Sequence, residues 1–175
     1  CDSSSLDDYD LHETYFQGTF GLYQKFDDKG HQLMGSFYLK YGGNAMEYFQ
    51  SDLFNKNNEL EKGHRAWEDE HRWTVRGNLD YIYPFSKTGR IEGGYQYFSY
   101  MEDGDYTMHF WDPVKKESYN RDDIYNTFYF QHGINSVYAI VADSYKSFDF
   151  QAGVRGELTH RVLRSSIPGK DRTYN

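Results

Sequence analysis

Apolar and polar residues alternate one for one along this chain, again and again, and that period of two belongs to a half-buried β-strand. Between Thr14 and Phe26 the apolar residues are Phe16, Phe20, Leu22 and Phe26, set against Gln17, Thr19 and Lys25. Asp27-Asp28-Lys29-Gly30 then has the composition of a tight turn. Leu33, Phe37, Leu39 and Tyr41 follow, opposed by Gln32, Ser36 and Lys40. That order predicts a hairpin over about residues 14–42. A second hairpin is expected over 71–101, where Trp73, Val75, Leu79, Tyr81 and Tyr83 alternate with Arg72, Thr74, Arg76, Asn78 and Asp80. Pro84 to Gly89 make its turn, and Ile91, Tyr95 and Tyr97 its return. A third is expected over 124–160, with its turn near Asp143 to Ser147 and Phe148, Phe150, Ala152, Val154 and Leu158 on one face of the last strand. Val137 to Ala142 is apolar at every position, so alternation assigns no inside or outside there.

Residues 43–70 and 102–123 are polar and irregular and read as long loops, the second with a short extended stretch around Tyr106 to Trp111, and residues 161–175 begin another. The expected order is strand, short turn, strand, long loop, three times over, with strands of about 11 to 18 residues. Soluble strands run to about 5 to 6 residues, whereas a tilted strand crossing hydrocarbon needs about 9 to 11. Short turns alternating with long loops fit a transmembrane β-barrel, in which every backbone donor and acceptor is paired inside the sheet. The fold expected is therefore all-β, an antiparallel up-and-down meander forming one segment of such a barrel over residues 1–175. The competing reading is a soluble β-sandwich, a lipocalin-like barrel or a carbohydrate-binding module, soluble or lipid-anchored, which would alternate in the same way.

Composition narrows the choice. The chain holds 18 Tyr, 13 Phe and 3 Trp in 175 residues, far too many rings for a disordered segment. Tyr and Trp favour membrane–water boundaries, where the ring is apolar and its tip stays wet. The net charge of −8 disfavours nucleic acid as a partner. The longest apolar run is six residues, Val137 to Ala142, against about 20 for a membrane helix. Cys1 is the only cysteine, so neither an internal disulfide nor a multi-cysteine metal site forms. A chain beginning at Cys1 is expected to be a processed product or an excised piece, and an amino-terminal Cys is also the lipid attachment point of bacterial lipoproteins after signal removal.

The third hairpin carries a resemblance. Asn126 to Phe130, Val137-Tyr138-Ala139-Ile140-Val141 and Gly153-Val154-Arg155-Gly156-Glu157-Leu158-Thr159 resemble the barrel of TonB-dependent outer-membrane receptors, closest to the Bacteroidetes-type outer-membrane β-barrel family. Leu79-Asp80-Tyr81 with Pro84-Phe85, then Glu92-Gly93-Gly94-Tyr95-Gln96-Tyr97, is similar to a mid-barrel hairpin of that family. The resemblance covers most of residues 70–160. It implies a 22-stranded parent receptor with an N-terminal plug, binding a nutrient at external loops and importing it through a TonB-type energy coupler. About six strands, with no plug and no TonB box, make this chain part of such a wall. The partners implied are outer-membrane lipid, the rest of the barrel and its plug, and the coupler.

On that reading Phe16, Phe20, Leu22, Phe37, Leu39, Trp73, Val75, Leu79, Ile91, Tyr95, Tyr97, Phe150, Ala152, Val154 and Leu158 face lipid. Arg76, Asp80, Arg155 and Glu157 face the lumen as mutually compensating charges. Loop aromatics, with Tyr48, Trp67 and Trp111 foremost and Phe49, Phe54 and Phe110 beside them, are candidate ligand contacts. No catalytic, cofactor or metal residue is expected. The seven histidines lack zinc-ligand spacing, and Glu102-Asp103-Gly104-Asp105 lacks the remaining ligands of an EF-hand loop. Neither a nucleophile elbow nor a phosphate-binding loop is present.

Overall fold

In a computed structural model, residues 4–120, 126–167, 169 and 171–174 are described, excluding the side chains of residues 44–47, 120 and 174. Cys1 and the expected start of the third hairpin at Ile124 and Tyr125 lie outside the described residues. The chain forms β1 (Ser4–Lys25), β2 (Gln32–Phe54), β3 (Leu60–Pro84), β4 (Arg90–Asp112), β5 (Glu117–Asn120), β6 (Asn126–Tyr145), β7 (Phe148–Ser165) and β8 (Arg172–Tyr174). All eight lie in one antiparallel sheet of order β1-β2-β3-β4-β6-β7-β8, with β5 paired to the upper part of β4. Each long strand pairs with the next in sequence except across β5, which makes the sheet a meander.

The sheet is open. Among the described residues β1 pairs only with β2, and β7 pairs with β6 and with the three residues of β8. It has no packed interior either: among the described residues the buried hydrophobics are Ala66 and Ala142 alone. Phe16, Phe20, Val154 and Leu158 are each between 65% and 71% exposed. A self-contained domain of this length buries most such side chains against a second layer.

The turns follow their residues. Asp27 accepts the backbone N–H groups of Lys29 (2.8 Å) and His31 (3.1 Å), and Gly30 supplies a positive φ of 97°. Asn55 does the same for Asn57 and Glu59 at the β2–β3 turn. Gly89 is tied to the Ser86 hydroxyl at 2.7 Å, and a Cβ there would meet the Phe85 ring.

Three expectations are corrected. Residues 43–54, 60–70 and 102–112 are strand, not loop, so β2 and β3 meet at a turn of only residues 55–59. The long strands run from 18 to 25 residues rather than 11 to 18, and short connections do not alternate strictly with long ones. Eight strands, two of them short, replace about six, and β7 continues to Ser165 where a loop is expected. The physical reason is that a sheet wet on both faces needs no apolar alternation. Charged residues, poor strand formers on average, are held by pairing across it. Arg72 on β3 illustrates this by binding Glu102 on β4 at 2.9 Å and Glu70 on its own strand.

Candidate functional site: two faces and an upper sheet

Paired residues of an antiparallel sheet share a face, so the register sorts every side chain. One row reads Phe20, Phe37, Gly77, Tyr97, Asn135, Leu158 across six strands. Two residues toward the turns it reads Leu22, Gly35, Leu79, Tyr95, Val137, Gly156. Followed over the sheet, this face, here termed A, holds all fifteen residues expected to face lipid. Arg76, Asp80, Arg155 and Glu157 all fall on the opposite face, B. The register also resolves the uniformly apolar stretch. Val137, Ala139 and Val141 are on A, while Tyr138, Ile140 and Ala142 are on B.

Face A has aromatic rows at two levels. Tyr41 and Trp73 pack with ring centroids 4.3 Å apart. Toward the short turns, His31 lies 5.3 Å from both Tyr81 and Tyr83, and Phe26 caps His31 at 4.5 Å. From Trp73 to Tyr83 is ten strand steps, about 33 Å along the strand, or roughly 25 Å of height at a tilt of about 40°. That is the height of the apolar band on a membrane barrel.

Face B in the same band is polar. The Arg155 guanidinium donates to Gln96 Oε1 and Ser136 Oγ, each at 2.8 Å, and to Glu157 Oε2 at 3.2 Å. The Tyr138 hydroxyl donates to the Asp80 carboxylate across two strands. It passes over Gly94, where a Cβ would run into the Tyr138 ring and come within 2.6 Å of Asp80 Oδ1. Arg76 sits between the Tyr38 and Phe98 rings, at 5.5 and 5.7 Å. Arg76 and Asp80 therefore find separate partners, whereas Arg155 and Glu157 pair directly.

Above the Tyr41–Trp73 level β1 to β4 continue for ten or more residues and both faces mix rings with charges. Face A carries Asp8, Asp10, Asp52, Asp69, Asp103 and Asp105 beside Tyr48, Trp67 and Trp111. Face B carries Tyr9, Phe49, His64, Tyr106, Phe110, Tyr119, Phe128 and Phe130 beside Glu68, Glu70 and Glu102. On β2 the alternation changes phase at a bulge. Between Gly42 and Ala45 one extra residue enters the register, so odd-numbered residues lie on face A up to Gly43 and on face B from Ala45. Of the expected ligand contacts, Tyr48, Trp67 and Trp111 share face A, Tyr48 packing at a tilt against Trp67 at 5.5 Å and Trp67 meeting His109 at 5.0 Å. Phe49 and Phe110 are on face B, and all are on strands rather than loops. The bulge hid this arrangement from a reading by alternation, and Gly42-Gly43 is its one sequence signal.

Two turn carboxylates titrate abnormally. Asp27 is held below the ordinary carboxylate range, chiefly by the His31 backbone N–H, and Asp112 likewise, chiefly by that of Lys115. Among the described residues no group of three or more His, Cys, Asp or Glu is placed to hold a metal ion. Among the described residues no helix is long and apolar enough to cross a membrane.

Comparison with curated proteins gives no match. Residues 24–175 match the outer membrane protein beta-barrel family as a whole, without the narrower receptor group that the third hairpin resembles. That family is one of membrane-barrel proteins rather than enzymes, and its place is the outer membrane. With one face apolar between two aromatic rows, the other polar, and most of its length matched, this chain belongs to the outer membrane protein beta-barrel family.

Proposed function

We propose that the chain is a stretch of wall from an outer-membrane barrel that captures a ligand at the cell surface and passes it inward. Face A meets lipid between the two aromatic rows, face B lines the lumen, and the short turns point to the periplasm. The observation that carries this is the sorting of faces: fifteen apolar residues on one side of a continuous sheet and four compensating charges on the other. Other strands complete the wall, because unpaired backbone groups along β1 are costly in hydrocarbon.

The finer reading is import of a nutrient driven through a TonB-type coupler acting on a plug in the parent receptor. It is supported by the resemblance of the third hairpin alone. A second reading keeps the ligand binding and drops the energised step: an all-β binding module held at the outer membrane, glycans being one ligand class. The exposed rings above the membrane band favour this second reading directly, since they need no coupler to act.

The wall placement is tested by single cysteines in the intact protein. Phe37→Cys should react with a lipid-soluble maleimide and resist a charged one, and Ser36→Cys should do the reverse. Equal reaction of both with the charged reagent would remove face A from lipid. Ligand accumulation that survives collapse of the proton-motive force would reject the energised step and leave the binding module.

A further inference from the structure

Above the membrane band a row of rings crosses the inner face of the upper sheet, one to a strand. Tyr9 on β1 pairs in register with Phe49 on β2. Phe49 lies 5.3 Å from His64 on β3, His64 lies 6.4 Å from Phe110 on β4, and Phe110 lies 6.2 Å from Tyr119 on β5. The planes of neighbouring rings differ by 33° to 41° along these three contacts, so their faces form one shallow surface. Tyr9, Phe49 and Tyr119 are 55%, 37% and 46% exposed. A hollow of about 240 Å³ opens beside the row, lined by Phe49, His64 and Met108 among others.

We infer that this row is a binding strip for an uncharged oligosaccharide chain, the sugar rings lying flat on the side-chain rings. The inference rests on the surface-capture reading above and names its ligand class. Three features select that ligand. Five rings at interstrand spacings of about 4.8 Å extend for roughly 20 Å, too long for a single-ring compound and suited to a polymer of rings. Polar groups border the rings on the same face, with Asp7 opposite Ser51, Ser51 opposite His64, and Lys62 one pair further out. A wholly apolar ligand would bury these groups without hydrogen bonds, a costly arrangement, whereas sugar hydroxyls supply both donors and acceptors. The charges one step along the strands from the rings are Asp7, Asp112 and Glu117 against Lys62, so the strip repels an anionic chain and suits an uncharged one.

The test uses the intact protein in detergent, with cellohexaose, laminarihexaose, maltohexaose and mannohexaose as probes in titration calorimetry. At least one should bind saturably. Phe49→Ala and Phe110→Ala should each weaken it roughly three- to tenfold. Asp69→Asn, on the outer face of the same strand as His64, should leave it unchanged. If an alanine variant fails to fold, Phe49→Leu keeps the bulk and removes the ring, and should weaken binding as well. Failure of all four sugars to bind overturns the assignment, as does binding indifferent to both phenylalanines or sensitive only to Asp69→Asn. Retention of a flat apolar dye in place of the sugars also overturns it. Any of these results can occur with the Phe37 and Ser36 labelling pattern intact, so failure of the strip is distinguishable from failure of the wall placement.

Discussion

Single residues set the local geometry at both ends of this sheet. Asp27 closes the β1–β2 turn as a carboxylate acceptor of two backbone N–H groups. Its folded pKa lies below the ordinary 3.8, so its contribution is present above that value and is lost as pH falls through the lowered one. In an NMR titration the Lys29 and His31 amides should shift together with a midpoint below 3.8, and Asp27→Asn, which keeps the acceptor, should abolish the shift. Gly94 works by what it lacks. An alanine there would displace Tyr138 from Asp80, and Gly94→Ala should cost about 1–3 kcal/mol in urea unfolding of the folded barrel. Phe at position 138 should lose the hydrogen bond alone and cost less, about 1 kcal/mol.

Strands carry their information in alternation, and there the sequence was most legible. The three hairpin turns near Asp27, Pro84–Gly89 and Lys146, and the grouping of Phe16, Phe37, Leu79, Tyr95 and Leu158 on one face, all follow from a period of two. The upper halves of β2, β3 and β4 were not legible. Asn, Asp and Glu cluster there as they do in loops, and the cross-strand partners of Arg72 and Glu102 lie thirty residues apart in sequence. The ring row was hidden further because the extra residue at Gly42–Ala45 resets the phase of β2. A pair of neighbours on β2 tests the faces energetically. Phe37→Arg, in mid-band on face A, should destabilise the barrel by about 2–4 kcal/mol in vesicle refolding, with Ser36→Arg on face B near neutral.

For the whole molecule, the open sheet decides how it must be handled. With Ala66 and Ala142 as the buried hydrophobics among the described residues, and β1 unpaired along one side, the chain by itself should aggregate in plain buffer and stay dispersed only in detergent or lipid. Sedimentation of a folded monomer from detergent-free buffer would contradict that. Height is the other whole-molecule property. The thirteen residues of β3 from Leu60 to Arg72 add roughly 30 Å beyond the apolar band, a rim that on the proposed wall placement stands clear of the bilayer. The extra residue on β2 decides which way that rim looks. Run through that stretch as an unbroken ladder, the same sequence would carry Phe49 around to the outer wall while its neighbours on β3 and β4 stayed put, breaking the vestibule at its second stave; shortening the chain by one residue at Gly43 would instead give a regular ladder and leave Phe49 opposite Tyr9 and Ala66. One slack residue thus separates a lining from a coat.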